Sequence, residues 1–193
     1  MEKLTFIGRN MQMKTNPILL DKAIQSIQQQ LLMKLKWLDE AFGRAYKITE
    51  QPDGEKATYP AVYTGDSEYM SVLPNDTIGN FCWFDIYDPQ RVVNISPKHN
   101  QLEVNGALIF WYDLTTIYDD ATYLYTEEIK DEILRALTAN ILPNIGKIEI
   151  NEIYERFENI YKGYPTETVG KQYFLYPYAG IRIEFTLILK ELC

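Results

Sequence analysis

The stretch from residue 181 to residue 189 constrains the fold more than any other part of this chain. Its odd positions are all apolar, whereas its even positions include Arg182 and Glu184. This period of two is typical of a half-buried β-strand. We expect a closing strand this regular to lie well inside a sheet, with its odd face toward the core. Its even face, with Arg182, Glu184 and Ile188, is predicted to meet solvent or a neighbouring subunit.

Length and charge limit the possible classes of protein. A chain of 193 residues fits one domain, and we predict an N-terminal arm at residues 1–15 and a single domain at residues 16–193. A formal net charge of −8 argues against binding nucleic acid through its phosphates. Fifteen tyrosines favour protein interfaces, where tyrosine is enriched.

The sequence shows neither an export signal nor a membrane span. The first ten residues lack a continuous apolar run, and no later apolar stretch reaches spanning length. The two cysteines, Cys82 and Cys193, do not form a disulfide framework or a metal-ligand spacing. We therefore expect reduced thiols in a cytosolic product and no membrane partner.

Three segments are predicted to be helical. Apolar residues recur at helical spacing over residues 16–38, with Asn16 as N-cap and an end near Gly43, and a coiled coil is the competing interpretation. A second helix starts at Thr126 and is stopped by Pro143 and Gly146. A third is predicted over residues 151–162. The amphipathic faces of these helices are expected to cover a sheet.

Four further segments read as strands, at residues 59–63, 68–73, 80–87 and 107–112. The last two are apolar on both faces, so a helix is expected to cover one face, and another subunit is a candidate for the other. Asn105-Gly106 is the dipeptide that most favours a two-residue turn, and residues 88–106 are predicted to form a protruding hairpin or flap. The predicted fold is α+β: one domain with a mainly antiparallel sheet covered by amphipathic helices.

No residue is predicted to be catalytic, to bind a cofactor or to hold a metal. The single histidine, His99, lies in a polar turn context, and no nucleophile elbow, phosphate-binding loop or zinc motif is present. Asp85 stands out because it lies between Phe84 and Ile86 in an apolar strand and would need a partner if buried. The many aromatic residues of the strands are not interleaved with Lys and Arg, which favours a core or a subunit interface over base stacking. The interface candidates are Tyr63, Tyr69, Trp83, Tyr87, Trp111, Arg182 and Glu184.

The order of these elements resembles that of the tail terminator and tail completion proteins of tailed bacteriophages, and it is similar to that of the neck ring proteins. The resemblance is carried by the leading helix at residues 16–38, by Tyr59-Pro60-Ala61-Val62-Tyr63, and by the closing residues 176–185. It implies a structural virion protein that forms a homo-oligomeric ring at the head-tail junction or tail end. It also implies neck, portal or tail proteins as partners and DNA that passes through without specific binding, and it carries over no catalytic residue or cofactor.

Two other functions remain open at this point. One is a small enzyme or ligand-binding domain with a carboxylate-containing cleft near Asp85, Tyr87 and His99, which would require carboxylates of perturbed pKa in a pocket. The other is a monomeric adaptor that docks a partner through the helix at residues 16–38.

Overall fold

A computed structural model describes residues 14–51, 56–96, 99–119, 122–138, 142–167 and 169–192. The predicted arm, residues 1–15, lies almost entirely outside these ranges. The helices are α1 (Leu19–Lys34), α2 (Leu114–Ile117), α3 (Thr126–Thr138) and α4 (Phe157–Ile160), with a 3₁₀ turn at Lys171–Phe174. The strands are β1 (Glu40–Glu50), β2 (Ala57–Gly65), β3 (Glu68–Ser71), β4 (Phe81–Ile86), β5 (Arg91–Ser96), β6 (His99–Asp113), β7 (Gly146–Tyr154) and β8 (Tyr178–Leu192). Among the described residues, no helix is long and apolar enough to cross a bilayer.

The fold is α+β with an eight-stranded, mainly antiparallel sheet, which confirms the predicted class. The strand order is β3-β2-β1-β4-β6-β8-β7, and β5 pairs with the outer part of β6. Among the described strand pairs, only β1 and β4 run parallel to each other. The closing strand β8 pairs with β6 on one side and β7 on the other, as expected for a strand inside the sheet. Its odd residues, from Ile181 to Leu189, are all buried in the main core.

Helix α1 covers one face of the sheet together with α3. Leu20, Ile24, Ile27 and Leu31 form its buried stripe, as the spacing predicts. The adaptor hypothesis requires this helix to dock a partner. Its apolar stripe is buried inside the domain, so the stripe is not available for that contact. The helix starts at Leu19, after the left-handed backbone of Asn16, so Asn16 is not its N-cap.

The predicted end of the first helix near Gly43 is wrong, because α1 ends at Lys34 and β1 starts at Glu40. Leu35 and Leu38 continue the helical spacing but are buried in the turn that follows. The Nε2 of buried Gln28 donates to the carbonyl oxygen of Ala41 at 2.7 Å, which ties the helix to the start of the strand. The apolar period alone does not separate the helix from this turn.

Strand β1 was not predicted, and β2 begins before the predicted start at residue 59. Residues 48–50 belong to β1 and pair with residues 57–59 of β2, and residues 52–55 lie outside the described chain. The hydroxyls of Thr49 and Thr58 lie 3.1 Å apart across this pair. Thr49, Glu50 and Thr58 at these strand ends are polar and at least partly exposed, so this part of the chain resembles a loop in the sequence.

The helix predicted at residues 151–162 is reduced to the four residues of α4, and the preceding segment is strand β7. Ile148, Ile150 and Ile153 pack against the main core. The register of β7 against β8 shifts between Ile150 and Glu152. An extra residue at such a bulge turns a spacing of two into a spacing of three, which imitates a helix in the sequence.

Asn105-Gly106 is not a turn, because β6 runs without interruption from His99 to Asp113. A Cβ atom on Gly106 would lie 2.7 Å from the carbonyl oxygen of Asp85, so close strand packing explains the glycine here. Residues 88–106 do contain a hairpin, in which Arg91 pairs with Glu103. Residues 97–98, between the two strands of this hairpin, lie outside the described chain.

The second face of the central strands is covered by the chain itself. Trp83 and Trp111 are buried there in a second core that includes Ile160 and Tyr161 from the end of α4. Tyr173 of the 3₁₀ turn packs against the same core. A second subunit is therefore not the cover of this face, because the segment between β7 and β8 fills it.

Candidate functional site

The predicted interface residues fall into three separate places. Trp83 and Trp111 lie in the second core and do not reach the surface. The ring of Trp83 packs edge-on against Tyr164 at 5.8 Å, and Trp111 stacks on Tyr178 at 5.0 Å. Both indoles stabilise the domain, and a partner cannot contact them in the folded chain.

Arg182 is also buried, so the expectation that the even face of β8 meets solvent or another subunit is wrong at this residue. Its Nη1 donates to the carbonyl oxygen of Ile160 at 3.0 Å, and its Nη2 donates to Asp85 Oδ2 at 3.1 Å. Its Nε donates to Glu184 Oε1 at 3.3 Å. The forked donors of a guanidinium suit such a site, where the buried charge meets two carboxylates and a carbonyl.

Two tyrosines complete this polar network. The hydroxyl of Tyr87 contacts Arg182 Nη2 and donates to Glu184 Oε1 at 3.2 Å. The hydroxyl of Tyr164 donates to Asp85 Oδ1 at 3.1 Å. Both oxygens of Asp85 are therefore bonded, which meets the requirement for a partner. We call Asp85, Tyr87, Tyr164, Arg182 and Glu184 the polar network.

The sheet register explains how residues so distant in sequence meet. Asp85 on β4, Ala107 on β6 and Glu184 on β8 lie opposite one another, on the same face of three neighbouring strands. Because Ala107 contributes only a methyl group, the long side chain of Arg182 has room to cross β6 and reach Asp85. An ion pair between side chains on two strands that are separated by a third strand leaves no recognisable residue spacing in the sequence.

The pKa values of Tyr87, Tyr164 and Arg182 keep each of these three groups in one charge state near neutral pH. Burial raises the pKa of Tyr87 to about 12, although the neighbouring Arg182 charge lowers it. Burial and then Asp85 raise the pKa of Tyr164 above its ordinary value. Burial lowers the pKa of Arg182, but Tyr87 and Asp85 raise it by more, so its net shift is upward. Both hydroxyls are therefore protonated donors, and the guanidinium stays charged.

His99 does not join Asp85 and Tyr87. It begins β6, and Ala107, the residue opposite Asp85, comes eight residues later, roughly 27 Å away at the rise of an extended strand. The three residues of the hypothetical cleft are thus not assembled in one place. Among the described residues, no group of three His, Cys, Asp or Glu side chains has an arrangement that could hold a metal ion.

Tyr63 and Tyr69, by contrast, lie together on the surface. They occupy opposite positions on β2 and β3, and their ring centroids are 5.4 Å apart. Tyr46 on β1 joins them, with its ring edge-on to Tyr69 at 6.0 Å. These three side chains, the tyrosine cluster, are 45%, 53% and 51% exposed for Tyr46, Tyr63 and Tyr69. Sequence reasoning missed Tyr46 because β1 itself was missed.

The tyrosine cluster lies at the end of the sheet. Strand β3 pairs only with β2 among the described strands, so its outer backbone groups face outward. The backbone N–H of Ser67 donates to the hydroxyl of Tyr63 at 3.2 Å, which holds that ring against the β2–β3 turn. Exposed aromatic rings beside an unpaired strand edge are features of a protein-binding surface.

A cleft of about 670 Å³ opens on another side of the domain, where the end of α1 meets α2 and α3. Lys34, Lys36 and Arg135 line it together with Trp37 and Tyr118. We call this the basic cleft. It was not predicted, because its three cations come from segments that are about one hundred residues apart in sequence.

Comparison with known proteins does not assign a role to these surfaces. No protein-family model matches the chain, and no curated protein matches it. The tyrosine cluster, the basic cleft and the polar network are therefore the features from which a function can be inferred.

Proposed function

We propose that this chain is a structural protein that assembles with copies of itself into a ring at the neck or tail end of a tailed bacteriophage. The tyrosine cluster is the observation that carries this proposal. Three half-exposed aromatic rings in mutual contact are the kind of surface that an interface buries. The resemblance of the element order to terminator, completion and neck proteins gives the class of assembly.

The rings of the tyrosine cluster are suited to binding because they are already ordered. Tyr63 and Tyr69 pack against each other, and Tyr63 is also bonded to Ser67. Ordering a flexible side chain at an interface costs about 0.5–1.5 kcal/mol, so rings that are held in place in the free chain avoid part of that cost.

The polar network supports a structural role over a catalytic one. A catalytic acid or base must present its proton to a substrate. Here the donors and acceptors of Asp85, Tyr87 and Arg182 are directed at one another. Their hydrogen bonds join β4 to β8 across β6, beneath the segment between β7 and β8.

In this proposal the partners are further copies of the chain and the portal, neck or tail proteins next to the ring. DNA would pass through the ring without specific binding, because a formal charge of −8 repels phosphates. The place of the protein would then be the virion, after synthesis in the host cytoplasm.

Light scattering and native mass spectrometry over a range of concentrations test the proposal. The wild-type chain, alone or mixed with neck and tail proteins encoded beside it, is expected to form closed oligomers. The double substitution Tyr63→Ala, Tyr69→Ala should weaken assembly by at least about tenfold, since hot-spot aromatics contribute about 2 kcal/mol or more. Tyr176→Ala is the matched control, because Tyr176 is 52% exposed but lies outside the cluster. A chain that stays monomeric under all these conditions would contradict the proposal.

A further inference from the structure

We propose that the assembly is head to tail, with the β2–β3 hairpin of one copy bound in the basic cleft of the next. This inference rests on the proposed function and adds its contact surfaces. It identifies a second copy of this chain as the occupant of the cleft. The hairpin supplies carboxylates and tyrosines, and the cleft supplies cations and aromatic rings.

The tip of the β2–β3 hairpin is a compact acidic projection. Asp66 and Ser67 both have left-handed backbone, with φ of 49° and 66°, as in the tight turns that join antiparallel strands. The side chains of Asp66 and Glu68 are exposed, and neither forms an ion pair with any described residue. Tyr63 and Tyr69 flank the tip on one face, so carboxylates and aromatic rings are presented together.

The basic cleft has the complementary chemistry. Lys34 and Lys36 are exposed, and within the described chain neither forms an ion pair. Arg135 bonds Asp131 on its own helix at 2.8 Å, yet its side chain is 78% exposed. The acid that lines the cleft, Glu132, accepts the indole N–H of Trp37 at 2.9 Å.

Two aromatic residues, Trp37 and Tyr118, also line the cleft. The cleft is open, and its volume of about 670 Å³ is in the range of ligand-binding pockets. A cleft that combines cations with aromatic rings is suited to a short segment that carries both carboxylates and tyrosines. In a chain of net charge −8, such a cationic surface favours an acidic partner, and the hairpin tip has that character.

The hairpin and the cleft are two different surfaces of the chain. The hairpin is at the β3 end of the strand order. The cleft lies nearer the middle of the sheet, because its Trp37 comes just before β1 and packs against Phe110 and Tyr112 of β6. Contact between two different surfaces is repeated from copy to copy, and it closes into a ring when the rotation between neighbouring copies closes.

A two-fold contact between two hairpins is the competing arrangement. It would bring Asp66 and Glu68 of both copies to the same interface, where like charges oppose binding. The head-to-tail contact instead places these carboxylates beside Lys34, Lys36 and Arg135. Electrostatic complementarity therefore favours the cleft as the site of the hairpin.

Charge reversal on each surface separates the two arrangements. One variant carries Asp66→Lys with Glu68→Lys, and the other carries Lys34→Glu with Lys36→Glu. Each variant alone is expected to associate more weakly than wild type by roughly tenfold or more, because like charges then meet at every contact. A 1:1 mixture is expected to recover assembly, since every hairpin then finds a cleft of opposite charge. Lys22→Glu with Lys162→Glu is the matched control, at two exposed lysines outside the cleft.

Circular dichroism and thermal unfolding of each variant verify that these surface substitutions leave the fold intact. If the cleft variant assembles as well as wild type, the head-to-tail contact is wrong, whereas the ring proposal stands through the tyrosine cluster. Recovery of assembly on mixing, together with its loss in both separate variants, supports the contact. If wild type does not assemble at all, both the ring and this contact are overturned.

Discussion

Arg182 Nη2 lies 3.1 Å from Asp85 Oδ2, although the two residues are 97 positions apart and strand β6 separates their strands. The pair is buried beneath the segment between β7 and β8, where Ile160 supplies a carbonyl and Tyr164 supplies a hydroxyl to the same network. This ion pair therefore couples the sheet to its second cover. The same ion pair explains why the even face of β8 is buried by the chain itself at Arg182.

Removal of the Arg182 charge should destabilise the domain strongly. Arg182→Met leaves Asp85 partly buried without its cation, and breaking a buried pair from one side costs about 3–5 kcal/mol. Urea unfolding measures this loss of free energy. Arg156→Met is the matched control at an exposed arginine, where a change within about 0.5 kcal/mol is expected. A loss below about 1 kcal/mol for Arg182→Met would contradict the role assigned to the pair.

Two neighbouring tyrosines should respond differently to loss of the hydroxyl. The hydroxyl of Tyr161 is buried without a hydrogen-bond partner in the described structure, so Tyr161→Phe should leave stability unchanged or raise it by up to about 1 kcal/mol. The hydroxyl of Tyr164 bonds Asp85, and Tyr164→Phe should cost about 1–3 kcal/mol. Thermal unfolding of the two variants, each the control for the other, tests whether only Tyr164→Phe is destabilising.

Gly106 should not tolerate a methyl group. A Cβ there would lie 2.7 Å from the carbonyl oxygen of Asp85, and forcing the strands apart costs about 1–3 kcal/mol. At Gly43 the nearest atom to an added Cβ is Gln28 Nε2 at 3.9 Å, an ordinary contact. Gly106→Ala is therefore expected to lower the unfolding free energy, while Gly43→Ala is expected to be close to neutral. Equal effects of the two substitutions would show that the close strand contact does not limit residue 106.

Stability should fall at alkaline pH as Tyr87 ionises. Its pKa rises from 10.0 in the unfolded chain to about 12 in the folded one, mainly through burial. Since the folded state holds the proton more tightly, this contribution is complete below pH 10 and is lost as the pH rises toward 12. Tyr87→Phe should reduce the slope of unfolding free energy against pH in this window by up to one proton. An unchanged slope in that variant would assign the alkaline loss to other tyrosines.

Duplex DNA should not bind the assembled protein. A net charge of −8 offers few sites for counterion release, so an electrophoretic assay at about 150 mM salt should show no retention at micromolar protein. The variant with Lys34→Glu and Lys36→Glu should behave in the same way. If the wild-type protein binds DNA with an affinity that falls steeply with salt, and the variant shows no such binding, the basic cleft contacts phosphates.

The period of two in β8 and the periods of α1 and α3 were read correctly from the sequence. These patterns are reliable because a long regular element turns the same face to the core at every repeat. The same patterns predicted the ends of some helices and strands incorrectly. Leu35 and Leu38 extend a helical spacing through a turn, and the bulge after Ile150 gives a strand a helical spacing. Local periodicity shows which side of a segment is buried. It does not show whether that segment is a helix, a turn or a bulged strand.

The core and the functional surfaces also combine features that follow from the sequence with features that depend on the tertiary structure. The sequence by itself determined the fold class, the buried stripe of α1, the odd face of β8 and the need of Asp85 for a partner, because each follows from residues close together in the chain. Only the tertiary structure decided that Arg182 is that partner, that Trp83 and Trp111 are core, and that Tyr46 joins Tyr63 and Tyr69. These relationships cross from strand to strand. They depend on strand order and register, which arise from contacts between distant segments and leave no spacing in the sequence.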